Sequence, residues 1–222
     1  MQRGFVWLAV AALAATPRTG GAVPLDSDPS SGTIVVLATK TGLLSSLAHD
    51  HRLVAGQWRI QIRYDVEGSG TVEVLVVVDA GSLHESTPRL GETARAIVDR
   101  EVAGADVLDA KKYPEIRIRG TGVLDPRPRG EEVREGVLRA ELTLHGTTRP
   151  LVVPFRVQAS GGGFRAIGNV TVRQTEFGMT PYSTAMGTIG VDDELRIEFD
   201  LLLRPTALPQ RRAEAIVSRP GG

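Results

Sequence analysis

Four histidines are the side chains of this chain that ordinarily titrate near neutrality, and two stand close together, as His49-Asp50-His51. In an extended segment, residues two apart share a face, so both imidazoles point one way and Asp50 the other. Such a pair is half of a zinc site and needs a third ligand, for which His84 and His145 are the remaining histidines. Both lie in turn-like surroundings. His145 precedes Gly146, and its simplest role is a turn residue bonded to backbone. Two other readings of His49 and His51 stand beside the metal one: a polar rim touching a ligand's head group, and plain exposure at a strand start. Arg173 closes a strand-like segment; turned inward it would need a carboxylate, turned outward it needs nothing. Other chemistries lack their residues. The chain has no Cys, which removes disulfides, Cys-ligated zinc, iron–sulfur clusters and thiol nucleophiles. Ser45, Ser46 and Ser183 lie in no Gly-x-Ser-x-Gly elbow. The glycines at 161–163 join two strand patterns and open no helix, so they form no phosphate cradle.

The elements that would position these residues are strands. Lys and Arg number 26 against 26 Asp and Glu, which removes the basic surplus that nucleic-acid binding uses. A 41% hydrophobic content suits a folded domain. Most of the chain alternates apolar and polar residues, the mark of half-buried strands. Trp58, Ile60, Ile62, Tyr64 and Val66 interleave with Arg59, Gln61, Arg63 and Asp65. The same period carries Val72 to Val78, Ile116 and Ile118, Leu138 to Leu144, Leu151 to Val157, Phe164 to Val172, and Leu195 to Leu203. With the segment 33–44 these make eight strands. Their short Gly-rich connections favour antiparallel hairpins, and eight such strands can close into a barrel, with a two-sheet sandwich as the rival. Bulky residues fill small barrels; inward positions such as Ala140, Ala166 and Gly168 leave room for a ligand, a packed core being the alternative.

One segment departs from the period of two. Over 92–112 the apolar residues fall at Ala94, Ile97, Val98, Val102, Ala105 and Leu108, a helical spacing. Gly104 splits it into two short helices, and Asp106 could cap the second. At the front, Arg3 precedes an unbroken apolar run over 5–15, and small residues near Ala22 suit a signal peptidase. The expected organisation is a signal peptide over 1–22, a flexible leader over 23–32, a barrel over 33–205 and a disordered tail over 206–222. The chain would then be periplasmic or secreted, with no transmembrane anchor after cleavage.

Several motifs occur in a telling order: Leu47-Ala48-His49-Asp50-His51, Asp99-Arg100-Glu101-Val102, Tyr113-Pro114-Glu115-Ile116, Leu144-His145-Gly146-Thr147-Thr148-Arg149-Pro150, and Arg173 with Glu176-Phe177-Gly178. Together they resemble the YceI-like family of lipid- and polyisoprenoid-binding barrels of bacterial periplasms. The resemblance implies a mainly β fold, a single extended, lipocalin-like antiparallel barrel of eight strands with one or two short helices in one long connection. It implies a non-enzymatic binding protein whose partner is an apolar isoprenoid-like lipid or quinone tail held in the lumen, with no other cofactor. The His-Asp-His segment resembles one branch of the family, and bears on the head group. For lumen and rim together the candidate ligand-binding residues are His49, His51, Trp58, Val153, Phe155, Phe164, Arg173 and Phe177. The alternatives are a metal-binding module or metal-dependent enzyme using His49 and His51, and a filled barrel acting as an envelope interaction protein. The oligomeric state, a dimer included, is not fixed by the sequence.

Overall fold

Strand β4 (Trp58–Asp65) follows the rule that builds most of the molecule: Trp58, Ile60, Ile62 and Tyr64 are buried, and Arg59, Gln61 and Arg63 are exposed. Alternation of this kind gives each strand one apolar face, which must be covered. The computed structural model describes residues 22–42, 49–65, 70–88, 90–124, 133–184 and 188–206. In chain order the strands are β1 (Ala22–Ser27), β2 (Gly32–Thr41), β3 (His51–Ala55), β4, β5 (Thr71–Asp79) and β6 (Leu83–Glu85). Helix α1 (Glu92–Ala103) follows, and then β7 (Glu115–Leu124), β8 (Arg134–Leu144), β9 (Thr147–Ser160), β10 (Gly163–Arg173), β11 (Ser183–Thr184) and β12 (Ile189–Pro205). All strand pairs are antiparallel.

The sheet closes on itself as an eight-stranded antiparallel barrel, in the order β1-β4-β5-β7-β8-β9-β10-β12 and back to β1. Closure removes the exposed edges and turns all the apolar faces onto one lumen. The eighth stave is not the segment at 33–44 but β1, inside the stretch expected to be a flexible leader. Val23 pairs with Tyr64, and Leu25 meets both Ile62 and Pro205. Leu25 is buried, and an Asp28 turn returns the chain into β2. β2 instead takes the rest of the same edge of the 17-residue β12, and β3 and β6 continue outward from it. At the other end of the chain, Thr206 donates its N–H to the Pro24 carbonyl. Residues 1–21 of the expected signal peptide and the tail beyond Thr206 lie outside the described residues, as do Val66, Ser45 and Ser46.

The long connection holds one helix rather than two. α1 ends at Gly104, whose N–H bonds to the Glu101 carbonyl. Beyond it Leu108, Asp109 and Ala110 bond back to Val102, Gly104 and Ala103 in tight turns, with Asp109 at φ 43°. Leu108 is still buried, so the helical spacing marked true core contacts on a backbone that does not stay helical. α1 packs on β6, and Asp99 accepts the edge N–H of Glu85 at 2.6 Å. The β8–β9 hairpin turns on His145 and Gly146 alone, both at positive φ (50° and 74°), the type I′ geometry that fits strand twist. The Tyr113 ring lies where a side chain on residue 146 would stand, so that position must be glycine.

Candidate functional site

Two adjoining cavities run through the lumen. The first, about 150 Å³, is walled by Leu25, Ile62, Val153, Phe155, Phe164 and Ala166 among others, and Tyr64 brings the only side-chain hydroxyl among the described lining residues. The second, about 370 Å³, lies under α1 and is walled in part by Val36, Leu53, Ile97, Val102, Leu144 and Leu195. Ile34, Val76, Ile118 and Ile197 line both, so the two abut along the lumen and together make a slot in two parts. From Leu195 to Leu203 β12 runs about 26 Å at about 3.3 Å per residue. With the tilt usual for barrel strands, that is about 20 Å along the axis. Such a slot can hold a chain, not a compact ligand.

Polar groups concentrate at the second cavity. His51, Glu101, Gln174 and Tyr182 are in its wall. Ile97 and Tyr182 are half exposed while lining it, which places the opening between α1 and the segment before β11. Behind His51 lies Glu85, whose side chain is fully buried. Its carboxylate accepts the His51 Nδ1–H at 2.6 Å and the Thr87 N–H at 2.6 Å. Burial pushes the Glu85 carboxyl up, but the hydrogen bonds from Thr87 and His51 outweigh it and hold the group below the usual carboxylate range. An ionised carboxylate only accepts, so the His51 proton at this contact sits on Nδ1 and the opposite nitrogen, Nε2, is left for other partners. Gln174 is committed elsewhere, its amide donating to the Asp192 carbonyl at 2.7 Å.

The candidate residues separate into three groups. Val153, Phe155 and Phe164 line the first cavity, and His51 lines the second. His49 is exposed just before β3, its ring 4.8 Å from that of His51. Trp58 and Phe177 are buried in the core but in neither wall, and the Phe177 carbonyl takes the His145 Nδ1–H at 3.3 Å. His145 is therefore a turn residue bonded to backbone. Arg173 points outward: β10 turns Val172 into the barrel and Arg173 to solvent, where it pairs with Glu194 at 2.9 Å. It takes no part in lumen or rim.

Gly168 also differs from expectation. It opens no space, because the Phe199 ring leans over it and a Cβ there would stand 2.5 Å from Cζ. As for a third metal ligand, His84 pairs with Val54 on the face opposite His51, and His145 is committed at the far hairpin. Among the described residues no group of three His, Asp or Glu side chains is placed to hold a metal ion. Sequence reasoning missed Glu85, Glu101, Gln174 and Tyr182. For Glu85 a signal exists, since Leu83 and Glu85 share one strand parity.

A closed antiparallel barrel with an apolar lumen and a polar mouth is the build of a lipocalin-like binding barrel, in which ligands lie inside. The YceI-like domain model matches residues 28–203, and the chain belongs to that family. A UPF0312 protein of Pseudomonas savastanoi pv. phaseolicola is 31% identical over 106 residues, 45% of this chain and 53% of that protein. A UPF0312 protein of Vibrio cholerae is 30% identical over 145 residues, 62% of this chain and 68% of that protein. The chain thus spans about half the length of the Pseudomonas relative it matches. Among solved structures, BcnA of Burkholderia cenocepacia superposes with a TM-score of 0.58 at 17% identity, over 77% of this chain and 95% of that one. A polyisoprenoid-binding domain from Saccharophagus degradans gives 0.57 at 11% identity, over 83% and 99%. At these identities the two structures speak for the fold.

Proposed function

We propose that this chain is an exported binding protein, periplasmic or secreted, that holds an apolar isoprenoid-like lipid or a quinone tail in the barrel and catalyses no reaction. The observation that carries the reading is the pair of abutting apolar cavities along the lumen. At about 24 cal/mol per Å³ of void, leaving the 150 Å³ cavity empty costs about 3–4 kcal/mol, a large share of the roughly 5–15 kcal/mol of net stability of an ordinary domain. A chain that fills it recovers that cost. Val153, Phe155 and Phe164 contact the tail, and His51, with His49 beside it, stands where a head group leaves the slot. The polyisoprenoid-binding domain of similar fold supports the ligand class, and the apolar run behind Arg3 supports export. Among the described residues no helix is long and apolar enough to cross a membrane.

Native mass spectrometry of the full chain, taken from its own envelope fraction with lipid extraction and amino-terminal sequencing, tests both parts. A bound prenyl lipid and a start near Val23 are expected. At 100 times Kd that lipid adds about 2.7 kcal/mol to stability. A ligand-free protein whose melting temperature responds to no prenyl chain would overturn the binding role. An intact Met1 in a cytoplasmic pool would overturn export.

A further inference from the structure

We infer that His51 reads the head of the bound molecule and that the head it selects is a hydroxyl, an alcohol or phenol, with phosphate and carboxylate heads discriminated against; this rests on the slot holding an isoprenoid-like chain. His51 lines the second cavity, and its Nδ1 is held by the buried Glu85. That contact fixes the ring and leaves Nε2 as its remaining polar atom, with no partner among the described residues. A neutral ring presents an acceptor at Nε2 and a protonated ring a donor. A hydroxyl both donates and accepts, so it pairs with Nε2 in either state. A carbonyl pairs in only one.

The charge around the mouth argues against an anion. Neither cavity wall contains a Lys or Arg among the described residues. The charged residues at this end of the lumen include two carboxylates, Glu85 behind His51 and Glu101 in the wall. The nearby cations lie outside both walls. Arg52 donates to the Ser86 hydroxyl, and Arg95 donates through one terminal nitrogen to the Thr87 carbonyl while its Nε is buried without a partner. Arg100 lies 3.9 Å from Glu101 on the exposed side of α1, where it offsets part of that charge. A phosphate brought here would lose water, gain no fixed donor cluster and face like charge.

Three probes with one C20 chain test this on the full chain freed of bound lipid, by titration calorimetry: geranylgeraniol, geranylgeranyl phosphate, and the corresponding hydrocarbon without a head. The alcohol is expected to bind about fivefold tighter than the hydrocarbon, the worth of one hydrogen bond. It should bind about tenfold or more tighter than the phosphate. His51→Phe should bring the alcohol to the level of the hydrocarbon measured on the same variant. Because that variant strands the buried Glu85, His51→Phe with Glu85→Leu is measured beside it, and either variant that folds decides. Glu101→Gln, at a half-exposed position, should narrow the gap between alcohol and phosphate about twofold. Equal binding of alcohol and hydrocarbon by the parent, or a phosphate as tight as the alcohol, would overturn the head-group assignment and leave the slot standing. No binding of any of the three would overturn the slot itself, and this inference with it.

Discussion

Ala166→Leu would set the stability of the ligand-free barrel against its affinity for a chain. Ala166 sits on β10 opposite Val157 and Leu201 and faces the 150 Å³ cavity. Leucine adds three carbons at about 0.8 kcal/mol each when buried, up to about 2.4 kcal/mol. Fixing its rotamer returns about 0.5–1 kcal/mol, so the ligand-free protein gains about 1.5 kcal/mol. The bound chain loses the same three carbons of contact, which lowers affinity by about 2.4 kcal/mol, close to 60-fold. Urea unfolding of the ligand-free protein reads the first quantity, and calorimetry with prenyl alcohols of increasing length reads the second. The affinity loss should grow with length, because short chains fit in the second cavity alone. Opposite signs in stability and affinity cannot come from general damage to the fold. A loss of 1 kcal/mol or more of stability is the signature of overpacking, and would mean that no void exists. Unchanged affinity at every length would place the chain elsewhere.

Glu85→Gln should cost about 1.5–3 kcal/mol at pH 7, where the ionised carboxylate accepts from His51 and Thr87. The folded-state value lies below the ordinary 4.5, so this stabilisation is complete above about pH 4.5 and disappears as pH falls through the lower, folded value. Urea midpoints of parent and variant should therefore draw together as pH falls below 4.5, and a cost that stays the same down to the lowest pH at which both fold would refute an ionised Glu85. Leu25→Ala should cost about 2–4 kcal/mol in the same assay if β1 is a stave of the barrel. A cost below about 0.5 kcal/mol, the range of surface substitutions, would return residues 23–32 to the status of a leader.

The faces of β4, β8, β9, β10 and β12 were legible in the sequence because each is eight residues or longer and its alternation is broken only locally, as at Val137, Val152, Ile167 and Leu202. β1 was not, because Ala-Val-Pro-Leu-Asp-Ser carries no clear period and stands beside Pro and Ser typical of linkers. It becomes a strand through partners far along the chain, on β4 and β12. For Glu85 the signal was weak for a related reason: Leu83 and Glu85 share a parity, but three residues are too few to establish the period by themselves. The outward turn of Arg173 could have been read, since Val170 and Val172 already assign the inner parity.

What parity cannot supply is volume. Ala166 and Gly168 look alike as small inward residues, yet one faces open lumen and the other is covered by the Phe199 ring. The difference lies in the cross-strand neighbour. Gly168 pairs with Phe199 on β12 and with Phe155 on β9, two rings that lean toward small positions, whereas Ala166 pairs with the branched Leu201 and Val157. The open length of the slot is therefore set by where the phenylalanines fall relative to the glycines. Moving a ring by one pair is, like enlarging Ala166, a change that would shorten the chain the barrel can hold.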